Sequence, residues 1–547
     1  MELDPLSRIR RHFILFLNLL CLWFDPAKAA GASPPAPLSP PTLTPIHHLV
    51  ILYDENVSFD HYFGAYPKAL NPPGSPRFIA KPHTPKVDGF DSLPSNPNPR
   101  LFRLDRSQAV TADQSHAYTD EQEAFHHGHM DRFVESTGNG LAHTSGVLGS
   151  PATVMGYFDG NTVTALWNYA QHYALSDATF TDTFGPSTPG ALEVVAGQTH
   201  GTIPVFSQRF PTLPTSILLP DGRGMFTLIG DADPEEDVCS RSPLKIRMAG
   251  PNIGELLDRK KIPWGNFMGG FDLHRVNPDG SSGCTRTSST ITGSVVRDYL
   301  PHHNGFQYYP STANPFHTRP SSLSAIGHAT LPDGVTPEPA HHQYDLEDFF
   351  SAVKAGNFPA VSFLKAPAFQ DGHAGYSNPL DEQHFVVRVL NFLQSRPEWK
   401  ETAVILTYDD SDGWYDHALS PILHSSRDPQ ADTLSGAGHC GSENRIPLGI
   451  DGHPVNGRCG PGPRIPLLVL SPWAKANWVD HTALTQTSIL RFIEDNWLHG
   501  ARLGQGSFDS EAGNLMHLFD FTRPTPLPPL FLDPDTGLPL ALLPHDL

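Results

Sequence analysis

The sequence predicts an α/β fold with a largely parallel central sheet and helices on both faces. Two observations carry this. Short apolar runs alternate with helix-period segments along the chain. Two of those runs also end abruptly in acidic residues, as strands do where a parallel sheet presents ligand-binding loops beyond its carboxyl ends. The runs lie at 49–53, 360–364, 404–408 and 466–470, and the helix-like segments at 166–174, 345–355, 381–394 and 484–496. Each run is short and almost wholly apolar, the mark of a strand covered on both faces.

The chain has 547 residues, 39% of them hydrophobic, enough for a large core. Its 55 prolines are about twice the usual share, so long loops pinned by proline are expected around that core. A net charge of −20 argues against a nucleic-acid partner, because a polyanion would be repelled. Arginines cluster only at the N-terminus.

Taken in order, residues 1–29 read as an export signal. Arg8, Arg10 and Arg11 precede a short apolar stretch at 13–24, and Ala27-Lys28-Ala29 forms a cleavage site. The string Arg10-Arg11-His12-Phe13-Ile14 resembles a twin-arginine signal; the general secretory route stays open, and both predict a periplasmic or secreted protein. Residues 30–45 form a proline-rich linker, 46–521 a catalytic domain with a loop-rich insertion or cap at 200–345, and 522–547 a proline-rich tail wrapped over the surface. No other segment offers 18 uninterrupted apolar residues, so no membrane span is expected. Cys21 leaves with the signal. Cys239, Cys284, Cys440 and Cys459 remain and allow three pairings; Cys239–Cys284 and Cys440–Cys459 are favoured because each closes a local loop containing glycine. Their spacings fit no zinc motif.

The chemistry concentrates at two strand ends. The run at 49–53 leads into Asp54, Glu55 and Asn56, with Asp60 and His61 close behind, in HLVILYDENVSFDHYFG. The run at 404–408 leads into Asp409, Asp410 and Asp412, then Asp416 and His417, in ILTYDDSDGWYDH. Such clusters repel one another unless a hard divalent cation bridges them. A nucleophile to match is Ser187 in FGPSTPGALEVVAG, placed where a helix begins after a Gly-Pro turn, with Pro189 in its first turn. Thr188 is its rival. His116, His302, His303 and His373 sit in polar loops, whereas His126, His127 and His129 read as a surface group.

These strings, together with HHNGFQYYPSTANP and DGHAGYSNPLDEQ and in this order, resemble the bacterial phospholipase C/acid phosphatase family of phosphoesterases, within the alkaline phosphatase superfamily. The resemblance implies an alkaline-phosphatase-like sheet and a divalent metal, of unknown identity, held by Glu55, Asn56, Ser187, Asp409 and Asp410. Ser187 corresponds to the nucleophile, and His116, His302, His303 and His373 to the residues lining the phosphate pocket. Asp60 and His61 take a supporting role behind the ligands. Val57 stands where the family often has arginine.

The activity implied is hydrolysis of phosphoric esters: broad, acid phosphatase-like action on small soluble substrates, favoured at acidic pH, or phospholipase C action on phosphatidylcholine-type head groups. A sulfatase is disfavoured, since Cys459-Gly460-Pro461-Gly462-Pro463-Arg464 has one residue too many before its arginine. A non-catalytic surface or lipid-binding protein would need neither Ser187 nor both acid clusters.

Overall fold

The run at 49–53 forms the strand His48–Asp54 (β1) in a computed structural model that describes residues 41–92, 100–138, 140, 147–206, 214–441 and 445–541. The expected leader, Cys21 and the linker up to residue 40 lie outside the described residues. Seven further strands join β1 in one sheet: Ala174–Ser176 (β2), Trp264–Met268 (β3), Gln343–Asp345 (β4), Val361–Lys365 (β5), Thr402–Tyr408 (β6), Leu467–Leu470 (β7) and Trp478–Asp480 (β8). Their order is β4-β3-β5-β1-β6-β7-β2-β8. Five of the seven pairings are parallel; β7 runs antiparallel to both β6 and β2. The mixed α/β architecture is thus the expected one, with β7 reversed.

β1 sits between two parallel neighbours. Leu52 pairs with Leu364 of β5, and Asp54 with Tyr408 of β6, so all three strands end at the same edge. Residues 49–54 of β1 and every residue of β5 and β6 are buried, which explains the largely apolar runs that mark them in the sequence.

β3 and β4 carry no such mark. Both come from 200–345, the stretch expected to be loop-rich. β3 is interrupted by Gly265 and by Asn266, whose amide donates to Asn304 Oδ1 and Gln343 Oε1, each at 2.9 Å. A strand held partly by buried amides has no apolar signature. The same stretch builds a second, five-stranded sheet around His200–Phe206 and Leu244–Met248.

Five helices matter for the site: Thr164–His172 (α1), Ser187–Ala196 (α2), Leu346–Lys354 (α3), Pro379–Gln394 (α4) and Thr487–Trp497 (α5). α4 starts two residues earlier than expected. Asn378 caps it by accepting from the Leu380 and Asp381 N–H groups, and Pro379 fills the first position, where its missing N–H costs nothing. α5 starts later, because Leu484–Thr485 pairs with Thr179–Phe180 as a short strand. Strand and helix side chains share one buried apolar cluster.

The last described residues lie along α1 and α4. The Asn391 amide donates to Leu532 O at 2.7 Å and accepts from Leu532 N at 3.1 Å; Gln394 treats Leu530 the same way at 3.0 and 2.6 Å. These two side chains act as a strand partner for an extended segment. Among the described residues, no helix is long and apolar enough to cross a membrane.

Cys239 pairs with Cys284 and Cys440 with Cys459, with Cα separations of 5.2 and 6.0 Å. A chain starting at Ala30 is therefore expected to release no thiol when denatured without reductant, as read by thiol titration; a free thiol at any of the four positions contradicts the pairing.

Candidate active site

The carboxyl ends of β5, β1 and β6 deliver Lys365, Glu55–Asn56 and Asp409–Asp410 to one place. Opposite them, the N-terminus of α2 delivers Ser187. Every residue of α2 is buried, and its approach to β6 is close. A Cβ on Gly190 would come within 2.2 Å of the Asp409 carbonyl oxygen, so only glycine permits this packing.

The serine hydroxyl meets three oxygens at once: Glu55 Oε2 at 3.0 Å, Asp410 Oδ2 at 3.1 Å and Asn56 Oδ1 at 3.3 Å. One hydroxyl proton serves only one of them. Four oxygens converging in this way, two of them from carboxylates, form a hard-cation donor set. Asp409 stands beside it: Oδ1 accepts from the Asn56 and Asp410 N–H groups at 3.2 and 2.9 Å, and Oδ2 is buried without a hydrogen-bond partner, 3.9 Å from Lys365 Nζ. The residues present thus fit a divalent metal.

Asn56 is held in place from behind. Its φ of 63° is left-handed, which asparagine tolerates better than most residues. His373 Nδ1 donates to Ala374 O at 2.6 Å, so its Nε2 is an acceptor and takes a hydrogen bond from Asn56 Nδ2 at 3.0 Å. That bond turns Asn56 Oδ1 toward Ser187. His116 Nε2 lies 3.4 Å from the same amide, and its Nδ1 faces Gln114 O at 3.0 Å and Asp412 Oδ1 at 3.2 Å. Burial alone would lower the His116 pKa, but Asp410 and Asp412 hold it well above the ordinary value.

On the other side, His303 Nδ1 lies 2.9 Å from Glu55 Oε1, and Lys365 Nζ also contacts that oxygen. Burial, with help from His302 and Lys365, keeps the His303 pKa well below its usual range, so this ring donates as a neutral imidazole. Burial works against ionisation of Glu55, yet Lys365 holds its pKa below the ordinary value. Asp409, pressed by burial and by Glu55, is raised to about 7. His302 stands one step further out, its ring 4.3 Å from that of His303 and its side chain 28% exposed. Thr188 faces elsewhere, its hydroxyl donating to Asp231 Oδ1 at 2.8 Å.

Of the residues singled out in the sequence, Glu55, Asn56, His116, Ser187, His303, His373, Asp409 and Asp410 therefore converge here, with His302 at the edge, whereas Asp60, His61, Asp416 and His417 do not. Asp60 bonds Arg464 at 3.0 Å and His417 Nδ1 at 2.7 Å, in a buried cluster with Asp416. His61 stacks on Trp414, with ring centroids 3.8 Å apart. Arg464 and Cys459 are thus committed to an ion cluster and a disulfide, which leaves no sulfatase motif. His126 pairs with Asp131 at 2.7 Å, away from this group.

A model described as the Phosphoesterase family matches residues 46–498. The chain belongs to the phosphoesterase family. Among curated relatives, it is 26% identical over 481 residues to a non-hemolytic phospholipase C of Burkholderia pseudomallei, an alignment covering 86% of this chain and 58% of that protein. It is 24% identical to phospholipase C A of Mycobacterium tuberculosis, covering 96% and 88%, and 24% identical to non-specific phospholipase C6 of Arabidopsis thaliana, covering 88% and 70%. The chain thus spans less than two thirds of the length of the Burkholderia relative.

Within this phosphoesterase, several site residues escaped the sequence reading. Lys365 ends β5 just as the acids end β1 and β6, and a charge closing an apolar run was its signal. Asp371 lies two residues before His373; its Oδ1 accepts from the His373 N–H and its Oδ2 from the Tyr376 hydroxyl. Glu121 gave no signal. Its carboxylate accepts from the Gly185 N–H at 2.9 Å and the Ser411 hydroxyl at 2.7 Å, joining the turn before Ser187 to the turn after Asp410; burial raises its pKa to about 7.

Gly190→Ala is expected to destabilise the protein by about 2 kcal/mol and to lower activity by displacing Ser187, checked by urea unfolding and an ester assay. Unchanged stability would refute the tight approach of α2. The ion cluster gives a pH signature. Burial lowers the His417 pKa, but Asp60 and Asp416 together outweigh it and raise the value to about 9. A raised folded pKa stabilises fully below the unfolded value near pH 6.5 and ceases to do so as pH rises through 9. Between pH 6.5 and 10 the wild type should lose up to about 3 kcal/mol more than His417→Gln; parallel losses in urea titrations would refute the assignment.

Proposed function

We propose that this phosphoesterase hydrolyses phosphoric esters with Ser187 as nucleophile. The observation that carries the reading is the meeting of the Ser187 hydroxyl with Glu55, Asn56 and Asp410 at 3.0–3.3 Å, at a buried helix N-terminus. Glu55, Asn56, Ser187, Asp409 and Asp410 would hold a divalent cation. Such a cation, when bound, lowers the pKa of the serine hydroxyl and offsets negative charge on the phosphoryl group.

The chain's own residues do the rest. Ser187 gives its hydroxyl proton to Asp410 Oδ2, its Oγ attacks phosphorus in line with the leaving oxygen, whose bond to phosphorus breaks, and the α2 N-terminus favours the anionic centre. His116 has carboxylates on its Nδ1 side, an arrangement that keeps an imidazole charged and able to give a proton from Nε2 to the departing alcohol. His302, at the partly open rim, faces the incoming ester. His303 and Lys365 fix Glu55, and His373 fixes Asn56. Water then releases phosphate or a phosphomonoester from the phosphoserine.

The relatives named phospholipase C support a phosphodiester with a lipid leaving group as the substrate class. A second reading, acid phosphatase-like action on small soluble monoesters, is favoured by the charged His116 beside the serine. We read the protein as acting outside the cytoplasm, a reading that its two disulfides support.

Ser187→Ala is expected to keep the fold and lower kcat at least about a thousandfold, while Thr188→Val keeps most activity. A chromogenic phosphodiester assay on purified proteins checks this. An active Ser187→Ala protein would remove Ser187 as the nucleophile.

A further inference from the structure

Asp231 occupies an unexpected place. Its Oδ1 accepts from the Thr188 N–H at 2.9 Å and from the Thr188 hydroxyl at 2.8 Å, one residue beyond the reacting serine. The early N–H groups of a helix are the donors that an anion would use. Here one of them is taken by a carboxylate of the protein itself. Asp231 also lines a cleft of about 310 Å3 together with Ser115, His116, Pro186, Ile217 and Ile229. Pro186 and His116 place that cleft directly beside Ser187. Among the described residues lining it, none is lysine or arginine. Burial opposes ionisation of Asp231, but His302, His116 and the two bonds from Thr188 together hold its carboxyl below the ordinary range, so its charge is present when substrate arrives.

A fixed negative charge at the mouth acts on the charge of the phosphoryl group. A phosphate monoester loses its second proton at about pH 6 and is a dianion above that. A phosphodiester carries a single charge throughout. Coulomb repulsion from Asp231 therefore counts twice against the monoester dianion and once against the diester. We propose that Asp231 is a specificity-determining residue that selects singly charged phosphoryl groups, namely phosphodiesters at any pH and monoesters only once protonated. The proposal rests on the reading of Ser187 as the nucleophile of a phosphoric-ester hydrolase, and it names the charge class of the substrate.

Asp231→Asn is the informative variant. Its amide oxygen still accepts from the Thr188 N–H, so the loop keeps its anchor while the charge is lost. The ratio of kcat/KM for p-nitrophenyl phosphate to that for bis-p-nitrophenyl phosphate is measured at pH 5 and pH 7.5 in both proteins. At pH 7.5 the ratio should rise about tenfold in the variant, and at pH 5 it should change much less. Inorganic phosphate affinity, measured by calorimetry at pH 7.5, should tighten by a similar factor and is readable without turnover. An unchanged ratio and unchanged phosphate affinity, or a ratio that rises equally at both pH values, would overturn the proposal. If neither ester is hydrolysed by the wild type, the hydrolase reading fails; tighter phosphate binding in the variant would still uphold the charge filter, and unchanged binding would overturn it too.

Discussion

Buried like charge is the constraint on which this molecule turns. Asp54, Glu55, Asp371, Asp409, Asp410 and Asp412 are all essentially inaccessible to water at one edge of the sheet. Taking so many carboxylates out of water is unfavourable unless positive charge compensates them. Lys365 supplies one buried cation, held charged by Glu55 and Asp409 against the effect of burial. Lys365, even with the His116 imidazolium beside Asp410 and Asp412, does not balance six acids. Burial and neighbouring acids push Asp54, Asp371, Asp410 and Asp412 well above the usual carboxylate range, which is the signature of a site short of positive charge. A cation among the Ser187, Glu55, Asn56 and Asp410 oxygens would relieve that deficit and activate the serine in the same act.

The surrounding fold serves to hold these groups at fixed distances. Three adjacent parallel strands ending in register bring the ligands together without long loops. Gly190 lets a helix lie against the Asp409 backbone, which brings its first residue into reach of all three oxygens. His373, through a single hydrogen bond to Asn56, decides which end of that amide faces the serine. Glu121 ties the two turns that carry Ser187 and Asp410, so neither moves alone. None of these supporting residues needs to touch the ester; each limits the freedom of one that does.

Much of this was legible in the sequence, for a physical reason. β1, β5, β6 and β7 are buried on both faces and so read as largely apolar runs, and the acids at the ends of β1 and β6 are conspicuous because each run stops abruptly at them. The helix start at Ser187 is announced by Gly-Pro before it and Pro189 after it. Where the signal depends on partners distant in the chain, it vanishes. β3 is stabilised by the Asn266 amide network, so it lacks a strand's pattern. Glu121 and Asp231 are ordinary acids in ordinary contexts, and only folding brings one to Gly185 and Ser411 and the other to Thr188. Asp60 reads in sequence as a support behind the ligands, and Arg464, far along the chain, instead draws it with Asp416 and His417 into a separate buried ion cluster.

The central claim is that the strand-end carboxylates form a cation site. Its most direct test is elemental analysis of the purified protein, wild type and Asp410→Asn side by side, after dialysis against metal-free buffer. About one divalent metal per wild-type chain is expected, with the variant folded but holding far less. Wild-type protein that is metal-free yet fully active on a phosphoric ester would contradict it.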